Sequence, residues 1–147
     1  MANFTGKLYG NALLHLARKR ADLLSDVIDV TLHTVTYVPN QDTQLWVSDL
    51  TNELPTANGY TAGGNPLVNK TVTYDAATKT VIFDADDIAI LNSTITWRVA
   101  VFSDRTPATA ATQPLLAYAL GDADTVSTGG TTTITMPATG IMRFTAN

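Results

Sequence analysis

The chain reads as all-β, an antiparallel β-sandwich of jelly-roll type with a short N-terminal helix and an extended N-terminal arm. Three observations carry this reading. Apolar residues recur at a spacing of two over most of the chain, and the segments that show it are short and rich in β-branched residues. Clusters of Gly, Pro, Asn and Asp separate those segments. Six or seven strands of this kind, without alternating helices, fit two packed sheets better than βαβ units.

The one helix candidate runs from Asn11 to about Lys19. Asn11 is a capping residue, and Leu13, Leu16, Ala17 and Arg20 recur at helical spacing. A helix of two to three turns is unstable alone in water, so its apolar stripe must dock on the β domain or on a neighbour. From Val27 the period changes to two, with Ile28, Val30 and Leu32 on an inner face and Asp29, Thr31 and His33 on an outer one. Leu67 to Tyr74 reads as a strand that turns at Asp75-Ala-Ala-Thr78 and returns as Thr80 to Ala85, a hairpin. Thr94 to Phe102 alternates most clearly, with Ile95, Trp97, Val99 and Val101 facing inward and Trp97 at the centre of the core. Leu115 to Leu120 is a further strand. Thr131 to Met136 and Ile141 to Thr145 read as a terminal hairpin around Pro137-Ala-Thr-Gly140.

These elements divide the chain into an N-terminal arm and short helix over residues 1–26 and one β-sandwich domain over 27–147. Within the domain, residues from about 39 to 65 hold Pro39-Asn, Pro55, Asn58-Gly59 and Gly63-Gly64 and show little alternation beyond Leu45, Trp46 and Val47. A loop of this length in a compact domain is often functional or ordered by a partner.

Composition narrows the function. The 147 residues contain no cysteine, which excludes disulfides, thiolate metal sites and thiol catalysis. Charged residues make up 15% of the chain, against about 25% in ordinary domains. Such a surface loses few solvated charges when another protein covers it. The net charge of −4 argues against a nucleic-acid partner, and Arg18-Lys19-Arg20, the one basic run, suits a solvated helix end. No apolar run approaches the roughly 20 residues that cross a bilayer, and the opening segment lacks the pattern of a secretory signal, so no membrane partner is expected.

No constellation carries catalytic chemistry, and neither an activity nor a cofactor or metal is expected. His15 falls on the helix and His33 on the outer face of a strand, with no nucleophile or third ligand in a recognisable motif. Asp84-Ala-Asp86-Asp87 and Asp122-Ala-Asp124 follow strands and suit turns in which Asp bonds the nearby backbone. Trp46, Tyr60 and Tyr37 are candidates for a sugar-binding platform, against the plainer reading of packing.

The segments resemble a widespread group of small structural proteins of tailed-phage virions, over nearly the whole length. The marks are Leu8-Tyr-Gly-Asn-Ala-Leu-Leu14, Leu24-Ser-Asp26-Val-Ile-Asp-Val-Thr-Leu32, Tyr37-Val-Pro-Asn-Gln-Asp42 and, most specific, Glu53-Leu-Pro-Thr-Ala-Asn-Gly-Tyr-Thr-Ala-Gly-Gly64. Lys70-Thr-Val-Thr73, Phe83-Asp-Ala-Asp-Asp87, Ser93-Thr-Ile-Thr96, Ala100-Val-Phe102 and Pro114-Leu-Leu-Ala-Tyr118 follow in the group's order. Ile88-Ala-Ile-Leu91 departs from it, standing where the group often has a Trp or a Ser-rich turn.

The resemblance implies a non-enzymatic virion component made in the host cytoplasm. The expected role is capsid decoration (cement) on the outside of the head, with the major capsid protein as partner and self-assembly as a dimer or trimer. Phe4, Leu8, Tyr9, Trp46, Gly59, Tyr60, Gly63 and Gly64 are the expected capsid contacts. A tail or head-tail adaptor subunit and a glycan-binding sandwich on the virion are the alternatives.

Overall fold

The structure, a computed structural model, describes residues 4–147. Ten strands, one short helix and two 3-10 turns alternate along it. The fold is mostly β, and every strand pair is antiparallel.

The largest sheet has five strands. Its centre is β7 (Thr96–Asp104), flanked by β8 (Leu115–Val126) and β2 (Ile28–His33). Outside β8 lies β1 (Phe4–Leu8), and outside β2 lies the two-residue β3 (Asn65–Pro66). A second sheet places β5 (Thr80–Asp84) between β4 (Thr71–Asp75) and β10 (Met142–Thr145), and a third pairs β6 (Ile88–Ser93) with β9 (Gly130–Ile134). One apolar core joins all three sheets: Ile28, Val30 and Phe102 meet Phe83 and Met142 of the second and Ile88 and Ile134 of the third.

The other face of the five-stranded sheet is also buried. Val99, Val101, Leu115 and Tyr118 pack there with Tyr9 and Tyr37, under Val47 and Leu50. The cover is made by the helix α1 (Ala12–Ala17) and by residues 37–50, including the 3-10 turn Val47–Asp49. Gly10 N–H donates to Gln41 O at 2.9 Å, and Val47 N–H to Gln113 O at 2.9 Å, which fastens this cover to the sheet.

Several expectations are corrected here. The N-terminal segment is no free arm: Phe4 to Leu8 pair with Gly121 to Ala117 of β8, and Leu8 packs on the core. The helix is shorter than expected, because Lys19 takes a left-handed φ of 55° just beyond it. Its inward residues are Ala12 and His15, while Leu13 stays exposed. His33 is buried rather than outward, since the loop cover makes both faces of β2 interior. Of the strand expected at 67–74, only its last part pairs, as β4. Its hairpin turn is held by Asp75, which accepts Ala77 N–H and the Thr78 hydroxyl.

In β7 the alternation breaks. The pairing with β8 shifts register between Trp97 and Val99, so Trp97 joins Ala100 and Phe102 in the main core while Val99 and Val101 face the cover. The expected terminal hairpin is absent among the described residues. β9 pairs with β6 and β10 with β5, because Asp87 Oδ1 accepts Met136 N–H at 2.7 Å and the chain then crosses between sheets through Gly140. Ile88-Ala-Ile-Leu91, taken for a changed loop, lies in strand β6 (Ile88–Ser93). Asp122 and Asp124 lie within β8 rather than in a turn, with Asp124 paired to Arg98 at 2.9 Å.

Candidate interaction surfaces

Two surfaces present apolar side chains to the outside. The first is the cover of helix and loop. His15 is fully buried beneath it, with its ring 4.7 Å from that of Trp46, and the Arg20 guanidinium lies 5.6 Å from the same indole. The indole is thus the hinge pin between α1 and residues 37–50. Burial holds His15 below the ordinary histidine range, so the ring packs as a neutral group. Asp49 anchors the loop locally, accepting Leu45 and Trp46 N–H at 2.9 and 3.0 Å. Outside this frame stand Leu13, Leu14 and Val38, the last 76% exposed.

The second surface is a groove beside β1, facing β9 and residues 135–141 in its inner part and β10 in its outer part. Its inner part, about 250 Å³, is lined by Phe4, Gly6, Trp97, Ala119, Ile134 and Pro137 among others, and its outer part, about 350 Å³, adds Lys7, Leu8 and Arg143. Phe4 stacks on Trp97 with ring centroids 5.0 Å apart and planes 19° from parallel. A Cβ at Gly6 would meet nothing within 4 Å, so the groove is open there. Among the described residues, no Asp or Glu lines either part.

The expected contact residues divide accordingly. Phe4 and Leu8 line the groove and Trp46 belongs to the cover. Tyr9 is buried, with its hydroxyl 2.7 Å from that of Tyr37, and Tyr60 is buried in the main core. Gly59 packs on the backbone of Leu91 to Ser93, and Gly64 on Val30. Gly63 gives its N–H to Glu53 Oε1 at 2.6 Å. The loop motif Glu53 to Gly64 therefore builds the fold: Tyr60 donates to Glu53 Oε1 and accepts Leu32 N–H. Trp46, Tyr37 and Tyr60 form no platform, because Tyr37 lies on one side of the five-stranded sheet and Tyr60 on the other. Sequence reading placed Leu13 on the helix stripe but did not single out Leu14 or Val38 as exposed.

The histidines are buried, and the carboxylates of the Asp84 to Asp87 cluster bond groups of the chain itself. His33 Nδ1–H donates to Thr51 O at 2.7 Å, which leaves Nε2 to accept the Thr31 hydroxyl at 2.9 Å. Burial pushes its pKa down. Asp84, Asp86 and Asp87 bond Ala85 N–H, the Asn69 side chain and Met136 N–H respectively, as turn carboxylates do. Among the described residues no group of three His, Cys, Asp or Glu side chains is placed to hold a metal ion, and no helix is long and apolar enough to cross a membrane.

No protein-family model, curated protein or solved structure matches the chain.

Proposed function

We propose that the chain is a capsid-decorating (cement) protein of a tailed-phage virion, without enzymatic activity, that binds the outside of the assembled head and ties neighbouring major-capsid subunits together. Its body is a two-layer sandwich related to the jelly roll, with the five-stranded sheet opposed to the two smaller ones. The virion setting rests on the resemblance that runs through nearly the whole sequence. The observation that carries a contact role is the cover, where Leu13, Leu14 and Val38 stand exposed on a frame fixed by His15, Trp46 and Arg20.

A cement protein needs such a surface. Binding to a lattice that exists only after assembly stabilises that lattice by mass action, as any ligand of one state does. Heating empty expanded capsids with and without the protein tests the proposal. A saturable rise in capsid melting temperature is expected. An unchanged melting temperature at saturating protein rejects the cement role.

A further inference from the structure

We infer that a protonated Asp104 and the carboxylate of Asp26 form an acid-closed clasp, which fastens residues 21–27, the link from α1 to β2, onto the end of β7 and releases them when the proton leaves.

The link has little other hold. It contains no helix or strand, and Ala21 and Leu23 are the side chains it buries in the main core, while Leu24 and Val27 stand exposed. Leu23 and Leu24 border, with Leu16 and Val72, an open recess into which the link has room to move. Its remaining ties are polar. Val27 N–H donates to Thr106 Oγ1 at 2.7 Å, Val27 O accepts Arg105 N–H at 2.8 Å, and Asp26 O accepts the Lys70 ammonium.

The clasp lies among these ties. Asp104 is the last residue of β7 and stands opposite Ile28, so its side chain shares the main-core side of the sheet with that of Ile28. It is fully buried. Its Oδ1 accepts Thr106 N–H at 2.8 Å, and its Oδ2 has no hydrogen-bond donor. A buried carboxylate left in this way is costly, whereas a protonated carboxyl becomes a donor in search of an acceptor. The acceptor at hand is Asp26, whose carboxyl meets that of Asp104 and whose Oδ2 accepts Asp22 N–H at 2.6 Å.

The charged groups around the pair do not replace the proton. Asp22 comes from the link itself, Lys70 from the chain before β4, and Arg105 from beyond β7. Lys70 bonds Asp26 O and lies near Asp22 and Asp29, and Arg105 also lies near Asp29, on the other face of β2. Among the described residues no Lys, Arg or His bonds the Asp104 carboxyl. Burial raises the Asp104 pKa to about 6, and the contact with Asp26 adds to this against the pull of the Thr106 N–H and hydroxyl. The clasp is therefore closed in acid and loosens as pH rises through about 6. Because the link leads out of α1, it is the helix end of the cover that gains freedom near neutral pH.

The test is hydrogen exchange of the full-length chain at about pH 5 and about pH 8, expressed as protection factors so that the intrinsic pH dependence cancels, and repeated in low urea to separate local opening from global unfolding. In the parent, the amides of Asp26, Val27 and Arg105 should lose about tenfold in protection between the two conditions, through an opening that urea does not promote. Asp104→Asn gives Asp26 a permanent donor and should keep its protection at the higher pH. Asp26→Asn, whose side-chain amide can donate to an ionised Asp104, should lose the pH step as well. Circular dichroism first establishes that each variant folds, and the parent's own pH step stands as a test if one does not. Equal protection of the parent at both pH values, an opening that urea promotes as strongly as for the amides of β7, or a pH step that persists in Asp104→Asn would each overturn the inference. Recovery of the parent's protection on adding calcium at the higher pH would also overturn it, since a cation rather than a proton would then close the clasp.

Discussion

His15 and Trp46 lie ring to ring at 4.7 Å, and this contact, with that of Arg20 on the same indole, joins the short helix to the long loop that together cover one face of the central sheet. The loop meets the chain entering β8 in one isolated bridge, Trp46 to Pro114. The helix spans only six residues, too few to be stable without docking.

Trp46→Ala removes the aromatic contact to His15 and the cation–π contact to Arg20 at once. The expected cost is roughly 1–3 kcal/mol of stability. Hydrogen exchange should localise the loss to residues 11–20 and 40–50, leaving the strands protected. Uniform loss of protection would show that the cover does not open by itself.

Tyr60 ties the loop to the main core in a different way. Its hydroxyl accepts the Leu32 N–H at 3.0 Å and donates to Glu53 at 2.8 Å. Tyr60→Phe leaves that buried N–H without an acceptor, and a destabilisation of about 1–3 kcal/mol in urea unfolding is expected. A loss below about 0.5 kcal/mol would mean that the N–H finds another acceptor.

Gly64 has φ near +88°, and a Cβ there would stand 2.3 Å from Val30 O. Gly64→Ala is therefore expected to break the pairing of Val30 with Asn65 and to lower stability by about 3 kcal/mol or more. Gly129→Ala is the control, since its φ is also positive but its Cβ would meet nothing within 4 Å. Equal losses in the two variants would show backbone strain alone at work.

Asp104 is fully buried, and burial, helped by its hydrogen bond with Asp26, raises its pKa to about 6. The folded state thus holds this proton more tightly than the unfolded chain does. Its contribution is complete below the ordinary carboxylate value near 3.8 and is lost as pH rises through about 6. Asp104→Asn keeps an oxygen for the Thr106 N–H and removes the ionisation. The variant should melt higher than the parent at about pH 7–8, by roughly 1–3 kcal/mol, and the gain should shrink towards about pH 4. His15 and His33 have lowered values and act in the opposite sense, losing stability as pH falls, but they cancel in the difference between variant and parent. A gain independent of pH would contradict the assignment to Asp104.

The parts of the fold legible in the sequence were those set by local period and turn chemistry. Ile28 to Leu32 and the Asp75 hairpin belong to this class, because alternation and an Asx turn are properties of neighbours in the chain. Ile88 to Leu91 had the same alternation, but was read as a changed loop rather than as part of a strand. Long-range choices were illegible. The bulge after Trp97 depends on β8, the burial of His33 depends on a loop that covers β2 from outside, and the separation of β9 from β10 depends on Asp87 capturing Met136. Candidate contacts were read from aromatic and glycine-rich residues, which this fold spends mostly on its own interior, as Tyr9, Tyr60 and Gly64 show.

The most direct test of the cement role is cosedimentation with empty expanded capsids, unexpanded procapsids and free capsid subunits, using the parent chain and Leu13→Glu with Val38→Glu. Both positions are exposed, so the variant should fold as the parent does. Saturable binding of the parent to expanded shells alone, lost in the variant, is the expected result. Equal binding to free subunits, or no binding to any form, would contradict the cement role.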